Sequence, residues 1–205
     1  MAALINTAIP KTNWETVRDV IAQILATEIE NQNVNNFIPD AGWEAQSHVW
    51  TERFVPFDKS EVPAVNVMFS RVSYNNEHVG HSDGIYVFNI DCYAYAKSTD
   101  GNDGDKDSMF KLQRLIGLCR SILMDPRYIR LGIAPPNVMN RTIQSIEIGQ
   151  TENDSLSVTF GRIALAVRIP ESIQFIPATA LNLANTQIKL EETNQGYYWS
   201  TINYP

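Results

Sequence analysis

The chain has 205 residues, of which 44% are hydrophobic and 19% charged, the balance of a globular protein that buries its own core. Its net charge of −7 argues against a nucleic-acid-gripping role, since that affinity comes from neutralising phosphates. Its two cysteines, Cys92 and Cys119, do not suggest a disulfide framework and read better as small buried hydrophobes in a reducing compartment.

The opening MAALINTAIPK lacks a basic segment, and its apolar run is broken by Asn6 and Pro10, so no signal peptide is expected. No apolar run approaches the roughly 20 residues that span a bilayer. The expectation is a soluble protein made in the cytoplasm. In KTNWETVRDVIAQILATEIENQ, Thr12 and Glu15 form an S/T-x-x-E capping box. Trp14, Val17, Ile21, Ile24, Leu25 and Ile29 follow at helical spacing. A helix is expected over about 12–31, then a loop over 32–45.

Three segments rich in β-branched and aromatic residues come next: QSHVWTERFVPF, VPAVNVMFSRVSY and GIYVFNIDCYAYAK. In the third, Tyr86, Phe88, Ile90, Cys92 and Ala94 alternate with Val87, Asn89, Asp91 and Tyr93, the period of a half-buried strand. Pro63 belongs at a strand start or edge. SYNNEHVGHSDG is expected to be a long hairpin loop joining the second and third strands. Asp91 is expected to face solvent or pair with an arginine of the neighbouring strand.

STDGNDGDKDS, residues 98–108, holds four aspartates and two glycines in eleven residues. A calcium loop needs glycine at its sixth position and glutamate at its twelfth. Counted from Asp103 these are Ser108 and Arg114; counted from Asp100 the fifth and twelfth are Gly104 and Lys111. Both registers fail, so the stretch reads as an exposed strand-to-helix connection. One of Asp103, Asp105 or Asp107 is placed to cap the helix that follows. That helix is DSMFKLQRLIGLCRSILMDP, with Met109, Leu112, Leu115, Ile116, Cys119, Ile122 and Leu123 at helical spacing, and it stops before Pro126. PRYIRLG adds a short turn.

NRTIQSIEIGQ and LSVTFGRIALAVRI, joined through TENDS, read as an antiparallel hairpin. On the second strand Leu156, Val158, Phe160, Ala164 and Ala166 share a face, while Arg162 and Arg168 are expected on a solvated face. Beyond Pro170 the composition changes, and TQIKLEE and YYWSTIN flank TNQG as a terminal hairpin. The expected fold is α+β: a mixed or largely antiparallel sheet with two helices on one face, in the order α-β-β-β-α-β-β plus a C-terminal extension. The expected division is a domain over 1–172 and an extension over 173–205.

Motifs of catalysis fail on context. GHSDG, residues 80–84, matches G-x-S-x-G, but a nucleophile elbow needs a strand before the serine and a helix after it. The only histidines are His48, His78 and His81, so none follows Ser82 to complete a triad. His78, His81 and Asp83 form a weak metal pattern that a surface loop with two histidines explains better. No phosphate-loop or dinucleotide fingerprint is present. No catalytic, metal or cofactor site is therefore expected, and the protein is not expected to be an enzyme. The tail YYWSTINYP groups Tyr197, Tyr198, Trp199 and Tyr204, a candidate interface, since Tyr and Trp are favoured anchors; packing on its own domain is the equal alternative.

The succession KTNWETVRDVIAQILATEIEN, FVPFDKSEVPAVNVMFSRVSYNN, GIYVFNIDCYAYAKS, DSMFKLQRLIGLCRSILMD and RTIQSIEIGQTENDSLSVTFGRIALAVRIPE, over about residues 10–172, resembles the tail-terminator (tail-completion) proteins of long-tailed bacteriophages. The resemblance implies a virion protein at the tail–neck junction, whose copies form a ring, hexameric in that family. Such a ring caps the tail-tube protein, ends its polymerisation and meets a neck or connector protein, and in contractile tails the sheath. DNA would pass through the lumen without specific binding, and no membrane is involved. Residues 1–107 carry 16 acidic and 7 basic side chains, and residues 108–170 carry 4 and 8, a separation of charge that suits self-association and an acidic lumen. Another neck or tail-tube protein, a small-molecule-binding protein and a monomeric assembly chaperone are the other readings.

Overall fold

Helix α1, Asn13–Val34, starts where the capping residues are. The Glu15 carboxylate accepts both the Thr12 backbone N–H, at 2.8 Å, and the Thr12 hydroxyl, at 2.6 Å. These hydrogen bonds hold the Glu15 carboxyl below its usual range. Val17, Ile21, Leu25 and Ile29 then bury one stripe of the helix, the i, i+4 pattern of a core-facing surface. The computed structural model describes residues 11–34, 48–78, 81–97, 104–133, 138–150, 158–172, 183–189 and 197–203.

Five strands form one sheet: β1 (His48–Thr51), β2 (Ala64–His78), β3 (His81–Tyr95), β4 (Asn140–Gln150) and β5 (Val158–Ser172). Their spatial order is β1-β2-β3-β5-β4. β1 runs parallel to β2 and every other neighbour is antiparallel, so the sheet is mixed. Helix α2, Gly104–Met124, lies between β3 and β4 in the chain. The fold is α+β, and its element order agrees in outline with the sequence.

Three expectations about strands need correction. Among the described residues of QSHVWTERFVPF, only His48–Thr51 are strand. Glu52 turns the chain with a φ of 51°, and its carboxylate accepts the Phe69 N–H at 2.8 Å, beside the register shift between Phe69 and Arg71. SYNNEHVGHSDG is not a long loop, because β2 continues to His78 and β3 begins at His81, with those two residues as partners. The polar composition there has the signature of a loop, but the backbone pairing of β2 and β3 continues through it. In GHSDG, residues 81–84 are thus strand, and Gly84 is where a Cβ would come within 2.3 Å of the Tyr86 ring. Finally, Arg162 does not lie on a freely solvated face, as described below.

The alternation in β3 sorts as its period demands. Tyr86, Phe88, Ile90, Cys92 and Ala94 are all buried on the helix-bearing face. Val65 and Val67 of β2 and Ile163, Leu165, Val167 and Ile169 of β5 extend the same core. α1 lies over β1 and β2, and α2 over β3 and β5, with the helices touching each other. Trp14 stacks on Phe69 at 5.8 Å, and Phe69 meets Phe88 edge-on at 5.9 Å.

Polar pins fix α2 at both ends. Near its start, the Ser108 and Thr159 hydroxyls are 2.8 Å apart, and each donates to the Ala94 carbonyl at 3.2 Å in alternative arrangements. This buried network ties α2 to β3 and β5. At its end, Arg141 of β4 donates to the Leu123 carbonyl and, at 2.6 Å, to the Asp125 carbonyl, satisfying oxygens that a helix terminus leaves open. The short 3-10 turn Pro126–Tyr128 follows, and Tyr128 donates to Glu28 of α1. Of the acidic connection, residues 98–103 lie outside the described residues; Asp105 and Asp107 are in the first turn of α2.

The chain divides into two compact units, one covering 11–172. The other contains β6 (Leu183–Lys189) and β7 (Tyr197–Asn203), an antiparallel pair. Its first strand is LANTQIK, upstream of the expected TQIKLEE.

Asp125 caps the turn after α2, accepting the Arg127 backbone N–H at 2.8 Å and its guanidinium at 2.9 and 2.8 Å. Those bonds hold the Asp125 carboxyl down at about 2. A carboxyl depressed by folding contributes stability above its unfolded pKa and loses it as pH falls through the folded one. Asp125→Asn is therefore expected to be less stable than the parent at neutral pH, with the gap closing between about pH 4 and pH 2. Urea unfolding across that range checks this; a gap that does not change with pH would contradict it.

Candidate assembly surface

Among the described residues of the 11–172 unit, the segment that joins β1 to β2 covers part of the face of the sheet opposite the helices. Phe57, Val62 and Ala64 form a small second core there with Tyr93 and Tyr95. Phe57 and Tyr93 ring centroids are 4.7 Å apart, and Tyr93 and Phe160 5.4 Å. Burial, aided by the Asp91 charge, pushes the Tyr93 hydroxyl up to about 12.

Arg53 organises this segment. Its guanidinium makes two hydrogen bonds to Glu61, at 2.9 and 2.7 Å, and lies over the rings of Trp50 at 4.8 Å and Phe57 at 4.3 Å. It also donates to the carbonyls of Val55 and Pro56. The Arg53 backbone is held in turn by Asn66, which accepts from its N–H at 3.2 Å and donates to its carbonyl at 2.8 Å. Glu61 hydrogen bonding raises the Arg53 pKa, and the same contact lowers that of Glu61. The residues so held present Phe54 and Val55 outward, 84% and 68% exposed. Two large apolar side chains on a multiply pinned turn form an ordered knob whose binding costs little conformational entropy.

Across the sheet from the knob's anchor runs a row of cross-strand partners, Asn66, Asp91, Arg162 and Glu147. Asp91 is 1% exposed and receives two guanidinium bonds from Arg162, at 2.6 and 2.9 Å. The expected alternative of a strand-to-strand ion pair is the one found, and it replaces the solvated face expected for Arg162. Arg168 likewise pairs with Asp83 at 2.5 Å.

The far edge of the sheet carries the second exposed feature. Ile146 partners Ile163, and Ile148 partners Gly161. Directly opposed residues share a face, so both isoleucines lie on the helix-bearing side. They are nonetheless 39% and 46% exposed. At Gly161 α2 comes close to β5: an added Cβ there would clash with the Ile116 side chain. Beyond that contact β4 forms an apolar shelf next to α2.

The residues singled out from sequence fall elsewhere. Tyr197, Tyr198 and Trp199 are consecutive residues of β7, and Tyr204 lies outside the described residues. His78 and His81 are backbone partners on strands, not residues of a surface loop. Ser82 is inside β3, paired with Glu171, so strand follows it where an elbow requires helix. Among the described residues, no group of three or more His, Cys, Asp or Glu could hold a metal ion, and no helix is long and apolar enough to cross a membrane. Sequence reasoning missed the knob because RFVPF reads as strand; the proline inside that apolar run was the available signal.

Comparison with models of known protein families finds no match, and comparison with curated proteins finds none.

Removing Arg162 strands a buried carboxylate. Arg162→Ala is expected to cost about 3 kcal/mol, the low end for orphaning a buried charge because the arginine side is partly wet. Adding Asp91→Asn should recover part of that loss. Chemical unfolding of the two variants checks this; a double variant no more stable than Arg162→Ala would contradict the pairing as the source of the cost.

Proposed function

We propose that this chain is a structural virion protein whose copies close into a ring that caps a phage tail tube, ends its polymerisation and joins the tail to the neck. The observation that carries the reading is the open sheet of the 11–172 unit, which bears an ordered apolar feature near each of its two edges. Isolated exposed apolar residues need no explanation, but pinned or contiguous ones favour an interaction role. Two different features near opposite edges suit heterologous contacts, in which each copy offers one surface and uses the other, and such contacts close into rings when the rotation allows. The element order supplies the rest, since it resembles that of tail terminators over about residues 10–172. Six copies, contact with tail-tube and neck proteins, sheath contact in a contractile tail, and passage of DNA through an unreactive lumen all come from that resemblance. The net charge of −7 fits a wall that DNA passes without adhering.

The test is to image the purified protein by negative stain, alone at high concentration and mixed with assembled tail tubes, with light scattering alongside. Closed rings of about six times 23.1 kDa, or tubes that end in an added ring and stop elongating, are expected. Tubes that elongate unchanged and carry no added ring would overturn the reading.

A further inference from the structure

The two ends of the sheet differ in charge as well as in shape. α1 and the β1-to-β2 segment, residues 11–34 and 48–63, carry seven acidic and four basic side chains. α2 with the turn after it, and β4, residues 104–133 and 140–150, carry four acidic and seven basic. The β1 end is therefore net −3 and the β4 end net +3, equal and opposite. Arg114 and Arg120, two of those seven basic residues, are exposed on α2, the helix that flanks the shelf.

The apolar features also lie on opposite faces. The knob belongs to the segment that covers the outer face, where Phe57 and Val62 pack with Tyr93. The shelf of Ile146 and Ile148 is on the helix-bearing face. A feature on the back of one end and one on the front of the other come together when neighbouring copies overlap like tiles. Flat edge-to-edge pairing of the sheets would leave both uncovered.

We infer that neighbouring copies meet by such a lap joint: the Phe54–Val55 tip of one copy seats on the Ile146–Ile148 shelf of the next, and the acidic β1 end faces the basic β4 end. The occupant is a second copy because the charge of each end is matched by the other end of the same chain, and electrostatic complementarity of this kind fixes orientation and register. The contact is heterologous, so every copy uses both surfaces. This inference rests on the ring reading for its closure but not for its contact.

Two measurements test it and separate the two ideas. First, Phe54→Asp and Ile148→Asp, both at exposed positions, should melt like the parent yet raise the concentration at which assembly is half complete by about tenfold or more, as loss of a central anchor does. Added salt should weaken the parent's assembly. Second, Phe54→Cys protein mixed with Ile148→Cys protein should give a disulfide-linked heterodimer under oxidised glutathione, two thiols losing their protons and electrons as the glutathione disulfide is reduced. The native Cys92 and Cys119 are buried and do not compete. A chain carrying both substitutions should give a ladder ending at the closed ring. Rings that persist in both aspartate variants, with no mixed cross-link, would overturn the lap joint and leave the ring intact. A mixed cross-link from a protein that neither forms rings nor caps tubes would support the joint and overturn the ring.

Discussion

Two helices cannot cover five strands. A helix with its side chains is about 10 Å across, and strands sit about 4.8 Å apart, so a pair of helices shelters about four. α1 and α2 take β1, β2, β3 and β5, and β4 overhangs. The exposed isoleucines of β4 follow from this mismatch. The overhang leaves Ile146 and Ile148 uncovered on the very side where the rest of the sheet is driest. Gly161 lets α2 approach β5 closely, and that close approach ends the helix layer one strand short.

The other face meets the opposite difficulty, with no helix over it among the described residues of the 11–172 unit. It is closed by a segment that folds back from β1 and by charge chemistry within the sheet. Asp91 is nearly inaccessible, and such a carboxylate is tolerable only with a full complement of donors; Arg162 provides two. The neighbouring Asn66 passes that order to the turn by holding both the N–H and the carbonyl of Arg53. Sheet, asparagine, arginine and exposed tip thus form one connected chain of contacts. A Phe that is exposed yet so well supported is a positioned group, which separates it from the scattered surface apolar residues of any protein.

Much of this architecture was legible in the residues. The helical spacing of Val17, Ile21, Leu25 and Ile29 and of Leu112, Leu115, Cys119 and Ile122 announced both helices, and the alternation from Tyr86 to Ala94 announced the central strand. What was not legible depends on long-range pairing. Nothing local says that His78 faces His81 across extended backbone, or that β1 stops at Thr51 and runs parallel to β2. Asp91 could be assigned an arginine partner by type, but only the register of β3 against β5 selects Arg162. The shelf is hidden for a related reason: Ile146 and Ile148 look like ordinary core residues of a strand, and only the spatial order, with β4 outermost, uncovers them. The aromatic tail drew attention by composition, whereas the ordered apolar surface of the 11–172 unit is built by RFVPF and IEI.

In the proposed ring neighbouring copies overlap, with the residue 53–57 turn of one copy seated on the β4 shelf of the next. A cryo-electron microscopy reconstruction of the assembled protein, alone or on tail tubes, addresses it most directly. A closed ring in which the residue 53–57 turn of each copy lies against β4 and α2 of its neighbour is the expected result. A ring whose copies meet through other surfaces, with Phe54 and the β4 shelf both facing solvent, would contradict it.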